Sequence, residues 1–113
     1  MEEETNSKLM KYKINFLKEN NKDILIKLVE VHQNAFKKFG FRSWNYKDIL
    51  DLFNNGSYIF YYTSNNKILG FIIANFSLDI NEIITIAVDN IYQNRNVGKA
   101  LLNACGKIIC LIA

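Results

Sequence analysis

The 113-residue sequence has no proline, two cysteines, one histidine and one tryptophan. Without proline there is no proline-rich linker, and the accompanying abundance of Asn, Ile and Lys reads as compositional bias, not function. Cys105 and Cys110 stand close together in an apolar segment. Disulfide frameworks and metal sites use more ligands at other spacings, so both read as plain thiols, no metal is expected, and a reducing, cytoplasmic setting follows. No apolar run is long enough to span a bilayer, which argues against a membrane. Met1 to Asn6 is acidic and lacks the apolar core of a signal peptide. Charge of one sign is also scarce. A net charge of +3 is too mild to argue for nucleic acid, yet it suits an anionic ligand. Tyr58, Tyr61 and Tyr62 lack the interleaved Lys and Arg of a base-stacking platform, so they read as cross-strand packing.

What is present suffices for one domain over 1–113. Half of the residues are hydrophobic, enough for a core, and 22% are charged. The ends of the chain show no pattern until Tyr12 to Leu17, which reads as a first strand after a frayed segment 1–10. Asn20 to Asp23 is a turn with an N-cap. Ile24, Leu25, Leu28, Val31, His32, Ala35, Phe36 and Phe39 then fall at helical spacing, and Gly40 ends that helix. His32 reads as a helix histidine packed at the border of the apolar stripe. After a short connection, Asn45 and Asp48 form a capping-box-like start to a second helix that carries Ile49, Leu50, Leu52 and Phe53 and closes at Asn54–Gly56. Trp44 reads as a packing anchor. Ser57 to Thr63 and Ile68 to Phe76 are strands joined by a turn at Ser64–Lys67. Ser77 to Asn81 turns the chain again, and Glu82 to Val88 is the last strand. There are no internal repeats. The order is α+β: strand, two helices, three antiparallel strands, helix.

The chain is organised around Ile83 to Leu102. Ile83–Val88 is an apolar, β-branched, buried-looking strand that Asp89-Asn90 stops. Ile91-Tyr92 leads into Gln93–Lys99, a turn rich in donors, and Ala100-Leu101-Leu102 opens an amphipathic helix with Cys105, Ile108, Ile109 and Ile112 on its stripe. A strand that feeds a helix through such a turn aims free backbone N–H groups and the positive end of the helix dipole at one spot, an anion site. Arg95 and Lys99 add positive charge there. A P-loop needs Gly at the position of Gln93 and a hydroxyl at the position of Ala100, so that motif fails at both ends.

The turn instead resembles the acetyl-coenzyme A loop of the GNAT N-acetyltransferases. Arg95-Asn96-Val97-Gly98-Lys99-Ala100 is similar to the pattern Arg-Gly-x-Gly-x-Ala, with Asn96 in place of the first Gly. Ile86–Asp89, Tyr92-Gln93, Arg95 and Gly98–Leu102, with His32, Ala35-Phe36 and Ser43-Trp44 upstream, resemble the ribosomal-protein-alanine N-acetyltransferase branch. The likeness covers roughly Ile14 to Leu102. It implies a partial GNAT fold and acetyl-coenzyme A as cosubstrate. The backbone of Ile86, Ala87 and Val88 would pair with the pantetheine arm, and Asn94, Arg95, Asn96, Val97, Gly98 and Lys99 would wrap the pyrophosphate. It also implies an acceptor that is a ribosomal-protein N-terminus, direct transfer without a covalent enzyme intermediate, and positions for His32 and Trp44 near the acceptor.

The branch's base and acid are a Glu on the strand after the last helix and a Tyr beyond it, and Ala113 precedes both. The resemblance therefore implies a C-terminally shortened, incomplete domain without the last strands and helix. No catalytic residue is named in it, its activity is impaired, and it self-associates through an exposed sheet edge. The alternatives are a non-catalytic coenzyme A-binding or remnant interaction protein, and a small α/β interaction domain in which Arg95 and Lys99 form a solvated turn.

Overall fold

Four strands pair antiparallel in chain order: β1 (Lys13–Phe16), β2 (Tyr58–Ser64), β3 (Lys67–Phe76) and β4 (Asn81–Val88). The computed structural model describes residues 11–37, 40, 44–77, 79 and 81–112, with side chains as far as Lys107. The segment 1–10, Phe39, Phe41, Ser43 and the side chains of Ile108, Ile109, Cys110 and Ile112 lie outside the described residues. Helices α1 (Lys22–Phe36) and α2 (Tyr46–Asn54) intervene between β1 and β2, and α3 (Val97–Ile112) follows β4. This is the α+β order expected from the sequence.

The helices cover both faces of the sheet. Leu25, Leu28, Val31 and Ala35 of α1 and Ile49 of α2 join Ile59, Phe71, Ile73 and Ala87 in one core. Val97, Leu101 and Cys105 of α3 join Phe60, Tyr62, Leu69, Ile72 and Ala74 in the other. β3 is therefore apolar on both faces, and Ile68 to Ala74 is one buried run, not an alternating one. Two register shifts adjust it. Between Tyr62 and Thr63 the partner jumps from Gly70 to Ile68, leaving Leu69 as an extra residue. Between Ile73 and Ala74 the partner jumps from Thr85 to Ile83, leaving Ile84 extra on β4. Each is a bulge, which changes the face a side chain takes and increases local twist.

Local chemistry sets most element ends. Asn21 caps α1 by accepting the Ile24 N–H (3.2 Å). Asn45 and Asp48 form a reciprocal capping box at α2, both bonds 2.9 Å. The β2–β3 hairpin turns through Asn65 and Asn66 at φ +53° and +62°, the left-handed pair of a type I′ turn. α1 is described over Lys22–Phe36, with Lys37 as its C-cap, and the expected Phe39 lies outside the described residues. Gly40 does take a left-handed φ of +69°, and its N–H reaches the Lys37 carbonyl (3.5 Å), a tighter closure than an α-helical turn.

One expectation needs correction. Ile83–Val88 is not a buried strand: only Ala87 is fully buried and Ile83 is 47% exposed. The reason is position. β4 is the last strand of the sheet among the described residues, so its apolar side chains are covered by the helices on only part of their surface.

Candidate functional site

β4 ends where the sheet, the turn and α3 meet. The Asp89 N–H donates to the Leu69 carbonyl (2.9 Å), which marks that pair as hydrogen-bonded. In an antiparallel ladder such pairs alternate, so Ala87 turns its backbone groups towards Phe71 while Ile86 and Val88 turn theirs to the open edge. The Val88 carbonyl accepts a hydrogen bond from Gln93 Nε2 (3.0 Å). The Ile86 N–H and C=O and the Val88 N–H therefore line the open edge, whereas Ala87 puts its side chain into the α1-side core. Of the three strand residues singled out from the sequence, two are placed for main-chain pairing and the third anchors them.

Asp89 stops the strand and is itself buried. One carboxylate oxygen accepts the Ile91 N–H (3.3 Å) and the other accepts Asn34 Nδ2 from α1 (3.1 Å). A short 3-10 turn follows at Asn90–Tyr92, closed by the Tyr92 N–H on the Asp89 carbonyl (2.8 Å). The sequence reading took Asp89-Asn90 as a strand stop and missed this turn and its clamp to α1. An Asp followed two residues later by a backbone donor was the available signal.

The chain then passes through Asn94 at φ +66° and Asn96 at φ +67°. Both are left-handed, the conformation that Asn tolerates better than other residues with a β-carbon. Asn94, Arg95, Asn96 and Lys99 are exposed. Val97 points inward and is 1% exposed, so it offers the site only its backbone. The Ala100 N–H bonds the Asn96 carbonyl (3.0 Å), the first helical bond of α3. The N–H groups of Val97, Gly98 and Lys99 precede it and point out of the helix end together with its dipole.

Gly98 stands out here. A β-carbon at this position would meet Ile86 Cδ1 and Val88 Cγ2 at 3.8 Å, ordinary contact distance, and its φ is not left-handed. Packing does not require glycine there, and glycine inside a helix costs roughly 0.5–1 kcal/mol relative to alanine. A β-carbon there would face the Ile86 and Val88 side chains of β4, next to the open strand edge.

Two cations share the ring of Tyr92. Arg95 Cζ lies 6.0 Å from its centroid and Lys67 Nζ, from the β2–β3 hairpin, 5.4 Å. Next to Lys67 a cavity of about 470 Å³ opens between α1, the hairpin and the 3-10 turn.

Proton-transfer groups gather elsewhere. Burial pushes the Tyr62 hydroxyl and the Cys105 thiol up and the His32 imidazole down. Tyr62 and Cys105 sit in the α3-side core. His32 is 5% exposed and stacks on Trp44 at 4.6 Å and 14°, with Phe36 and Phe71 alongside. Its Nδ1 has no hydrogen-bond partner among the described residues. Both aromatic anchors are thus packed against each other. Among the described residues no group of three or more His, Cys, Asp or Glu could hold a metal, and no helix is long and apolar enough to cross a membrane.

Comparison with known proteins adds to this geometry. The family model described as acetyltransferase (GNAT) family matches residues 25–108. No curated protein sequence matches significantly. Among solved structures, the ribosomal-protein-S18-alanine N-acetyltransferase from Escherichia coli is 25% identical with a TM-score of 0.74; the match covers 88% of this chain and 59% of that one. An aminoglycoside acetyltransferase from an uncultured soil metagenomic sample, solved with sisomicin, is also 25% identical with a TM-score of 0.69, covering 88% and 70%. An N-acetyltransferase from Thermoplasma acidophilum in complex with coenzyme A shares the fold at 18% identity and a TM-score of 0.72, covering 88% and 72%. The chain spans 59% of the length of the Escherichia coli enzyme.

Proposed function

The chain belongs to the GNAT family of acetyltransferases, and on that premise we propose that it binds acetyl-coenzyme A at the β4–α3 turn for transfer of the acetyl group to a primary amine. The N-terminal alanine of a ribosomal protein is the acceptor we favour, on the resemblance of Ile86–Asp89 and Gly98–Leu102 to that branch. The observation that carries the binding is the α3 N-terminus: the N–H groups of Val97, Gly98 and Lys99 precede its first helical bond, and among them stands Gly98, a glycine that packing does not require. Acetyl-coenzyme A supplies the thioester carbonyl that the amine attacks. The protein's part is to hold it. The edge groups of Ile86 and Val88 pair with the amides of the pantetheine arm. The turn at Asn94–Lys99 receives the pyrophosphate, with Arg95 and Lys99 adding charge. The buried Ala87 side chain seats β4 on the α1-side core, and the buried Val97 side chain seats the helix end on the α3-side core.

A second reading, coenzyme A binding without turnover, has its own support. Among the described residues, the groups whose proton affinity burial displaces, His32, Tyr62 and Cys105, lie in the cores and not at the β4 edge. In that reading the same edge groups also serve self-association by strand pairing. Isothermal titration with acetyl-coenzyme A tests the binding, and thiol release in the presence of a peptide with a free N-terminal alanine separates the two readings. Heat of binding is expected. No heat above buffer at millimolar ligand removes both, while binding without any thiol release leaves the second.

A further inference from the structure

The cavity beside the turn is not used by the reading above, and its lining is uneven in charge. Lys27 comes from α1, Lys37 from just past its end and Lys67 from the hairpin; against them stand the carboxylates of Glu30 and Asp89. Asp89 is buried, and its two oxygens accept hydrogen bonds from the Ile91 N–H and Asn34 Nδ2, neutral donors that hold it in place. Glu30 is exposed at the rim. The lining thus carries three lysines against two carboxylates, a net positive balance that favours an anion. Val31 and Ile68, both buried, form part of the wall. At about 470 Å³ the space lies within the range of small-ligand sites.

Lys67 also connects this cavity to the turn. It lines the cavity, and its ammonium lies over the same Tyr92 ring that Arg95 covers. Through that ring the cavity's Lys67 and the turn's Arg95 come within about 11 Å of each other. One ligand with two separate phosphate groups could engage both.

We propose that the cavity lined by Lys27, Lys37 and Lys67 is a second anion subsite, beside the β4–α3 turn, that takes the phosphate ester on the ribose of coenzyme A while the turn takes the pyrophosphate. This rests on the binding proposed above and adds residues to it that the loop motif does not contain. Lys67 acts as a point charge against the phosphate. The Tyr92 ring orients it by cation–π contact, and Glu30 weakens the subsite by like-charge repulsion.

The test compares coenzyme A with 3′-dephospho-coenzyme A by isothermal titration, in the wild-type chain and in Lys67→Gln and Glu30→Gln. The wild type is expected to bind coenzyme A roughly threefold to tenfold more tightly than the dephosphorylated form, a charge-pair effect that shrinks at about 0.5 M salt. Lys67→Gln removes that difference by weakening coenzyme A alone, and Glu30→Gln enlarges it. Equal affinity of the wild type for both ligands overturns the subsite but leaves the turn site standing. So does a Lys67→Gln effect of the same size on both ligands. If neither ligand binds, the acetyl-coenzyme A reading itself falls.

Discussion

Gly98 and Gly70 are both glycines near one helix end, and they exist for different reasons. A β-carbon on Gly98 would find room; one on Gly70 would sit 2.9 Å from the Ala87 carbonyl oxygen and 3.0 Å from Val97 Cγ1. At Gly98 the fold would do better with alanine, so Gly98→Ala is expected to raise stability by roughly 0.5–1 kcal/mol in chemical denaturation. The same methyl would stand against Ile86 and Val88, beside the strand edge where the pantetheine arm is proposed to pair. Affinity for acetyl-coenzyme A is therefore expected to fall at least about tenfold, or 1.4 kcal/mol. A variant that is more stable and binds as before would leave the glycine without a ligand to explain it. Asn96 shows the opposite economy. It replaces a glycine of the resembled motif and still takes φ +67°, because its short side chain tolerates that region better than other branched or bulky residues.

At the scale of elements, Gly70 lets β3 approach both the β4 backbone at Ala87 and Val97 of α3 closely. The obstacle to a larger residue is a backbone oxygen, which cannot rotate away as a side chain can. Gly70→Ala must push β3 and β4 apart or unseat Val97, the first residue of α3 and 1% exposed. Overpacking of this kind costs about 1–3 kcal/mol, and the urea midpoint should fall accordingly. A midpoint equal to that of the wild type would mean the approach is looser than the contacts indicate. The Ile84 bulge belongs to the same scale. It lets Ile84 pack on the α1-side core while Ile83 turns out to 47% exposure, a division that a strictly alternating strand would not produce.

For the molecule as a whole, the two cores respond differently to acid. The α1-side face is pinned by His32 between Trp44, Phe36 and Phe71. Burial lowers its proton affinity, and the nearby Asp48 carboxylate opposes that only in part. The unfolded chain therefore takes up a proton near pH 6.5 that the folded chain refuses, so stability is full above that pH and falls as the pH drops through it, levelling once the folded imidazole is also protonated. With one histidine in the sequence, that fall is assignable. Equilibrium unfolding between pH 7.5 and about 5.5 is expected to show it, and His32→Leu is expected to flatten it. An unchanged slope in the variant would place the titration on the carboxylates.

Sequence alone determined the order of elements, the caps at Asn21 and Asn45, the hairpin at Asn65-Asn66 and the strand–turn–helix, because each follows from residues within a few positions of one another: apolar periodicity, Asx capping, left-handed Asn. The family followed from the same local run, Ile86 to Leu102. Only the tertiary structure decided the rest. Which backbone groups of Ile86–Val88 face outward depends on register against β3, and one residue of slip would exchange them. That β4 is half-exposed depends on its place in the sheet, not on its composition. The clamp of Asp89 to Asn34 and the meeting of Lys67 with Arg95 on Tyr92 join residues far apart in the chain. No local pattern encodes such contacts, since they arise where two helices and a hairpin are brought together by burying their apolar faces on one sheet.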